Sequence, residues 1–201
     1  MKFISHLDMN RFMARLIKKS GIPVWYTEGF NQRIYINFAL PLSLGFEGLY
    51  EIMEFRLIDD NYDLSECLSS LKSVCPPDIE FFAISEGGMP MKNIGFAEFE
   101  LKFEEFTPET EQKLKAFLGQ ESIICEKIGK KGRVKEIDLI PKIKKYELTE
   151  ITLKLVLVAG SQDNLNPTLV MDTFFENEQI EPIYYTVSRT MLYNNDLEQF
   201  K

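Results

Sequence analysis

The sequence is poor in the residues that most often hold metals or carry out nucleophilic catalysis. Among 201 residues there are one histidine and three cysteines. Cys67, Cys75 and Cys125 are too widely spaced for a zinc or iron–sulfur site, and an odd number argues against a disulfide framework. No glycine-rich phosphate loop, nucleophile elbow or Walker pattern is present. We therefore expect no metal and no cofactor, and the lone histidine excludes mechanisms that need a pair of histidines.

Long apolar runs are also missing. No run approaches the roughly 20 residues with which a helix crosses a bilayer. The start of the chain, Met1–Ile4, has no apolar core of the length found in signal peptides. Apolar residues make up 45% of the chain and charged residues 27%, as in folded soluble proteins. We therefore expect a cytoplasmic protein with no membrane partner.

Basic residues are concentrated in two segments of an acidic chain. The net charge is -8, yet residues 1–35 carry +4 and residues 127–145 carry +6. The local potential, more than the total charge, decides whether a polyanion binds. Both segments have the sign that RNA or another phosphate-rich ligand requires.

Capping residues and apolar periodicity divide the chain into two halves of similar order. Helices are predicted to begin after four N-cap residues: Ser5, Asp63, Thr107 and Asn166. Extended segments are predicted at residues 24–38, 49–57, 79–84, 95–103, 123–128, 134–140, 149–158 and 183–192. The second half reads as strand, helix, strand, strand, helix, strand, which is the ferredoxin-like split unit. The first half has a matching order but lacks the opening strand.

We therefore predict an α+β fold of two tandem ferredoxin-like (βαββαβ) units. The first unit covers residues 1–86 and lacks its N-terminal strand. The second covers residues 93–201 and includes a basic hairpin around residues 129–132. A partner or a second copy of the chain, in a homodimer, would supply the missing strand; alternatively, the chain starts at an internal methionine. An unpaired strand edge is costly if it is buried.

The first candidate site residues lie on the first predicted helix. His6, in the first turn, could act as a general base or bind phosphate beside free backbone N–H groups. The alternative is a solvated histidine near Asp8. Arg11 and Arg15 could line a groove for a polyanion, or they could belong to an ordinary solvated helix face.

The following loop supplies a second group of candidates. Tyr26 and Arg33 combine aromatic and basic character, which suits single-stranded RNA. Gly29 indicates a turn or bulge. Phe30 could stack on a base, although its apolar character favours the core. Asn31 could read the edge of a ligand or cap the local backbone.

A third group belongs to the predicted basic hairpin. Arg133 and Lys135, with Lys130 and Lys131, could clamp phosphates. The alternative is a flexible basic tip that has no partner and is tolerated because it is solvated.

Several segments together resemble a known family. They are Phe3–Asp8, Gly29–Asn31 followed by Arg33, Phe38–Leu42 with Gly45, and Arg133–Leu139. In these segments the chain resembles the uncharacterised bacterial radical SAM-linked domain of unknown function. Gln32 and Arg33 stand where that family is expected to have a proline-containing pair, and its members usually carry a strand before the Phe3–Asp8 run. The resemblance implies a radical SAM protein as partner and work on RNA or a translation component, with no known activity.

These observations favour a binding module over an enzyme. The leading hypothesis is an accessory module of a radical SAM system that presents a basic, partly aromatic surface to RNA or another phosphate-rich substrate. The chain lacks the cysteine triplet that a radical SAM enzyme itself needs. One alternative is an RNA-processing endonuclease in which His6 is the base. The other is a protein–protein scaffold.

Overall fold

The computed structural model describes residues 2–128, 134–160 and 163–201, and within these ranges the protein is a mixed α+β structure. The helices are α1 (His6–Ser20), α2 (Leu64–Val74), α3 (Pro108–Leu118) and α4 (Pro167–Glu178). The strands are β1 (Ile36–Phe38), β2 (Glu47–Gly48), β3 (Met53–Phe55), β4 (Ile94–Phe103), β5 (Ile124–Ile128), β6 (Val134–Asp138), β7 (Ile143–Leu148), β8 (Thr152–Val158) and β9 (Tyr185–Asn194). The predicted α+β class is confirmed.

The chain divides into two compact units. The first consists of Met1–Glu47 and Glu51–Met91 with Lys201, and the second of Gly48–Tyr50 and Lys92–Phe200. No helix in the described part of the chain is long and apolar enough to cross a membrane.

All four helices begin at the predicted N-caps. The side chains of Ser5, Asp63, Thr107 and Asn166 each accept a hydrogen bond from a backbone N–H in the first helical turn. These bonds satisfy donors that have no partner within the helix. Gly21 ends α1 with a φ of 77°, a left-handed conformation that glycine adopts at no steric cost.

In the first unit, two helices and a set of short strands enclose a small core. Its buried residues are Met13, Leu16, Ile17, Ile22, Val24, Cys67 and Leu71. β1 and β3 pair antiparallel, and single bridges join Val24 to Leu57 and Tyr26 to Ile34. Alternate strand residues, Ile34, Ile36 and Phe38 among them, pack against the core.

The strand predicted at residues 79–84 is not a strand in the structure. Ile79, Phe81 and Ile84 do pack against the core, as their alternation suggests. However, this segment joins no sheet among the described residues. The prediction was wrong because apolar alternation reports which side chains face a core, whereas a strand also needs a neighbouring backbone.

The second unit is built on a five-stranded sheet in the order β2-β9-β4-β8-β7. Strand β4 lies between β8 and β9 and is antiparallel to both, and β7 is antiparallel to β8. The helices α3 and α4 contribute Phe117 and Phe174, whose rings lie 5.4 Å apart in the core.

Three strands of this unit, β5, β6 and β7, differ from the sequence prediction. β5 and β6, which correspond to the strands predicted at 123–128 and 134–140, form a separate two-stranded sheet. The place beside β8 is taken by β7, which the sequence analysis missed. Most residues of β7 are polar and exposed, as at the edge of a sheet, so the strand lacks the apolar alternation that predicts one. The tandem ferredoxin-like arrangement stays a prediction.

Candidate functional site

One surface of the first unit combines aromatic and basic side chains on neighbouring strands. Because Ile34 and Ile36 face the core, Arg33, Tyr35 and Asn37 point away from it, and all three are exposed. The same alternation directs Arg56 outward between the inward-facing Phe55 and Leu57.

Ring contacts join these strands on their outward side. The guanidinium of Arg56 lies 5.2 Å from the centre of the Trp25 ring. The rings of Trp25 and Tyr35 meet edge-on, with centres 6.3 Å apart. The Asn37 amide donates a hydrogen bond of 2.9 Å to the sulfur of Met91. We refer to Trp25, Arg33, Tyr35, Asn37 and Arg56 as the outer strand face.

The outer strand face and the adjoining turn also carry acidic side chains. Glu54 lies two residues before Arg56 in extended chain, so its side chain points to the same side, and it is exposed. Glu28, in the turn, is exposed as well. The face can attract phosphates, but a negative charge limits that attraction.

The turn that leads into this face carries most of the predicted loop residues. Thr27 and Arg33 close the turn, since the Thr27 N–H donates to the Arg33 carbonyl at 2.8 Å and the Arg33 N–H donates to the Thr27 hydroxyl at 3.1 Å. Gly29 has a φ of 110°, which a side chain rarely allows. Tyr26 and Asn31 are both exposed.

Phe30 lies outside the core, which corrects the expectation that it would be buried. Its side chain is fully exposed. The residue follows Gly29 in a turn that projects beyond the paired strands, so it has no core within reach. The ring of Phe30 is therefore available to contact a ligand.

The His6 ring contacts the side chains of Asn10 and Phe38. Its Nε2 lies 3.0 Å from the Asn10 amide nitrogen, and its ring meets Phe38 edge-on at 5.6 Å. Nearby, the Ser5 hydroxyl, followed by the Arg11 guanidinium, holds the pKa of the Asp8 carboxyl below its usual value. His6 therefore lies beside an amide and an aromatic ring, and these contacts orient the ring.

The predicted site residues fall on different sides of the first unit. α1 turns Met13, Leu16 and Ile17 toward the core, so Arg11 and Arg15 are exposed on the other side of the helix. The outer strand face lies on the other side of the same core from the exposed side of α1. The structure places Gly29, Phe30 and Asn31 in the turn that Thr27 and Arg33 close. Tyr26 is paired with Ile34 and shares its side of the strands, and Arg11 and Arg15 lie on α1.

The second basic segment is described only in part. Lys135 lies on β6 and is exposed, whereas Lys130, Lys131 and Arg133 lie outside the described residues. At the base of this hairpin, the Asp138 carboxylate accepts hydrogen bonds from the Ile123 N–H at 2.9 Å and from the Ile140 N–H at 3.1 Å. The first of these is the main reason that the pKa of Asp138 lies below its usual value.

The second unit also contains a small polar hollow. It encloses about 30 Å³ and is lined by Glu98, Lys145, Tyr146, Glu147, Lys154 and Val156. That volume suits a water molecule and is far below the size of a small-molecule binding site. No three histidine, cysteine or carboxylate side chains converge on a metal-sized site in the part of the chain that the structure describes.

Sequence reasoning missed four members of the outer strand face: Trp25, Tyr35, Asn37 and Arg56. A signal was present for Tyr35 and Asn37, because the alternation over residues 33–38 marks both as outward-facing. Arg56 could not be found in the same way, since its proximity to Trp25 depends on the pairing of strands that are distant in sequence.

The chain belongs to the family described as "Uncharacterized protein conserved in bacteria (DUF2344)", whose sequence model matches residues 1–167. No curated protein and no solved structure is significantly similar to the chain. The family match covers the whole outer strand face and the turn beside it.

Proposed function

We propose that this member of the DUF2344 family binds single-stranded RNA through the outer strand face and the neighbouring turn. The observation that carries the proposal is the placement of Trp25 and Tyr35 beside Arg33 and Arg56 on adjacent strands. Unpaired bases stack on aromatic rings and on guanidinium planes, and phosphates are held by the charge of arginine.

The turn extends this surface. Phe30 exposes its ring in this turn, and the Asn31 amide offers both a donor and an acceptor to a base edge. Double-stranded RNA hides its bases, so a surface of exposed rings favours single strands. We infer a surface that stacks bases at several points and uses few phosphate contacts.

The first experiment removes one exposed ring and measures binding of a short, fluorescent single-stranded RNA by anisotropy. Tyr35→Ala should weaken binding about five-fold or more, since stacking on one ring is worth about 1–3 kcal/mol per base. Tyr146→Ala is the matched control, because Tyr146 is 40% exposed and Tyr35 41%, and Tyr146 lies on β7. Equal losses in the two variants would contradict the proposal.

The second experiment separates the two basic surfaces by their salt dependence. Each phosphate contact contributes about 0.7 to the slope of log K against log salt for single strands. Arg33→Gln should therefore lower that slope by about 0.7, while Arg15→Gln on α1 leaves it unchanged. The opposite result would place the RNA on the helix and overturn the proposed site.

The acidic neighbour supplies a test with the opposite sign. Glu54→Gln removes a negative charge from the surface and should strengthen RNA binding, whereas Glu80→Gln, also exposed, should not. An equal gain in RNA affinity in the two variants would show a general effect of net charge and would contradict the proposed site.

The proposed role is binding without catalysis. The same RNA is incubated with the protein and separated by length. Intact RNA supports a binding module, whereas cleavage that is lost in His6→Ala would establish the endonuclease alternative.

The radical SAM partner rests on the family resemblance alone. Co-purification with a radical SAM enzyme would support this partner if the association persists after nuclease treatment. Loss of the association after that treatment would count against direct contact.

A further inference from the structure

The backbone beneath the outer strand face is paired at each step, so the spacing of its side chains is fixed. The Arg33 carbonyl accepts from the Thr27 N–H at 2.8 Å, and the Tyr35 N–H donates to the Trp25 carbonyl at 3.3 Å. Asn37 lies in β1, which pairs with β3. Arg33, Tyr35 and Asn37 therefore form a row of outward side chains that are two residues apart.

Successive members of this row are too far apart to meet successive bases of a stacked strand. Alternate residues of an extended chain are about 6.7 Å apart, since each residue advances the strand by about 3.3–3.4 Å. The bases of a stacked nucleic-acid strand follow one another at about 3.4 Å. A strand that places one base at each side chain of the row therefore has to stretch to about twice its stacked spacing.

The position of Tyr35 sets the same requirement. Tyr35 lies between Arg33 and Asn37 in the row, and its ring is exposed. A base within a stacked run has both of its faces covered by neighbouring bases. An aromatic ring in the middle of the row can therefore stack only on a base that has left the run. A strand bound along the row has its bases splayed apart.

The cost of splaying a strand depends on which bases it carries. Purines stack on one another more strongly than pyrimidines do, and the modest preferences of single-strand binding sites follow from stacking strength and backbone flexibility. Tyr35 is the one aromatic side chain among the three of the row, so a larger purine ring gains a stronger contact at one position. Three bases along the row lose the stacks between them at two positions, and this loss outweighs the gain.

We propose that the outer strand face selects pyrimidine-rich single-stranded RNA and prefers uridine, whose strands stack least. This inference rests on the RNA binding proposed above and adds the class of RNA that is bound. Phosphate contacts are the same for every base sequence, so the preference is independent of salt concentration.

The first test compares a uridine hexamer with an adenosine hexamer and follows both through Trp25. This residue is the only tryptophan of the chain, so its indole N–H gives a single NMR resonance that reports on the outer strand face. The uridine hexamer should bind at least about five-fold more tightly, which is the low end of what one stacked base contributes. The ratio of the two affinities should be the same at low and high salt.

The possible failures of this comparison are distinguishable. Equal affinities, or tighter binding of the adenosine hexamer, would overturn the uridine preference and leave RNA binding at this face in place. If neither hexamer shifts the Trp25 resonance, the proposed RNA site is wrong as well.

The second test separates stacking within the strand from recognition of uracil. In a second pair of hexamers, uridine or adenosine alternates with abasic residues, so that no base has a neighbour on which to stack. The preference for uridine should then disappear. An undiminished preference would show that the protein recognises uracil itself and would overturn the proposal. The protein is unchanged in both comparisons, so a folding defect cannot imitate either result.

Discussion

At the scale of single residues, Asp63 provides the clearest local stabilisation in the first unit. Its Oδ1 accepts hydrogen bonds from the backbone N–H groups of Ser65 at 2.7 Å and Glu66 at 3.2 Å, at the start of α2. Replacing an N-cap of this type by alanine costs about 1 kcal/mol. We expect Asp63→Ala to lower the free energy of unfolding by about that amount, measured by urea denaturation.

The control for this prediction is Asp60→Ala. Asp60 is also exposed, and the described residues offer it no hydrogen-bond partner, so its loss should change stability little. Equal effects would mean that the cap contributes nothing and that charge alone matters.

The pH dependence of the same variant follows from the pKa of Asp63. The Ser65 hydroxyl, followed by the two backbone N–H groups, lowers that pKa below its ordinary value of 3.8. Because the folded pKa is the lower one, the stabilisation is complete above the unfolded value and is lost as the pH falls through the folded value. The difference between the wild type and Asp63→Ala should therefore shrink below pH 3.8. A difference that stays constant down to acid unfolding would contradict this account.

At the scale of secondary-structure elements, Asp138 ties the β5–β6 hairpin to the chain on either side. Its carboxylate binds the Ile123 N–H, the Ser122 hydroxyl and the Ile140 N–H. Asp138→Ala should speed amide exchange at Ile123 and Ile140, because both lose their acceptor. Glu136→Ala, on the same strand and exposed, is the control and should leave both rates unchanged.

The elements that the sequence predicts well are those decided by local interactions. The N-caps are correct because each cap binds a backbone N–H two or three residues away. β7 was missed because most of its residues are polar and exposed. Residues 79–84 were wrongly predicted as a strand because apolar alternation does not show whether a neighbouring backbone is present to pair with. Apolar alternation still identified the inward side chains in both halves.

At the scale of the whole molecule, residues that are close in sequence need not share a surface. Arg15 and Arg33 both belong to the basic segment 1–35, which the sequence analysis treated as one region of positive charge. The core of the first unit lies between them, because α1 and the strands each turn an apolar side toward it. The core separates the two arginines only once the chain has folded, so the charge of a sequence segment does not show which side of the core each residue occupies.

The two units should differ in stability. Most of the buried apolar residues among those that the structure describes belong to the second unit. The single tryptophan, Trp25, lies in the first unit, so its fluorescence reports on that unit alone. We expect the fluorescence transition in urea to precede the transition in far-UV circular dichroism, which reports on both units. Coincident transitions would show that the units unfold as one.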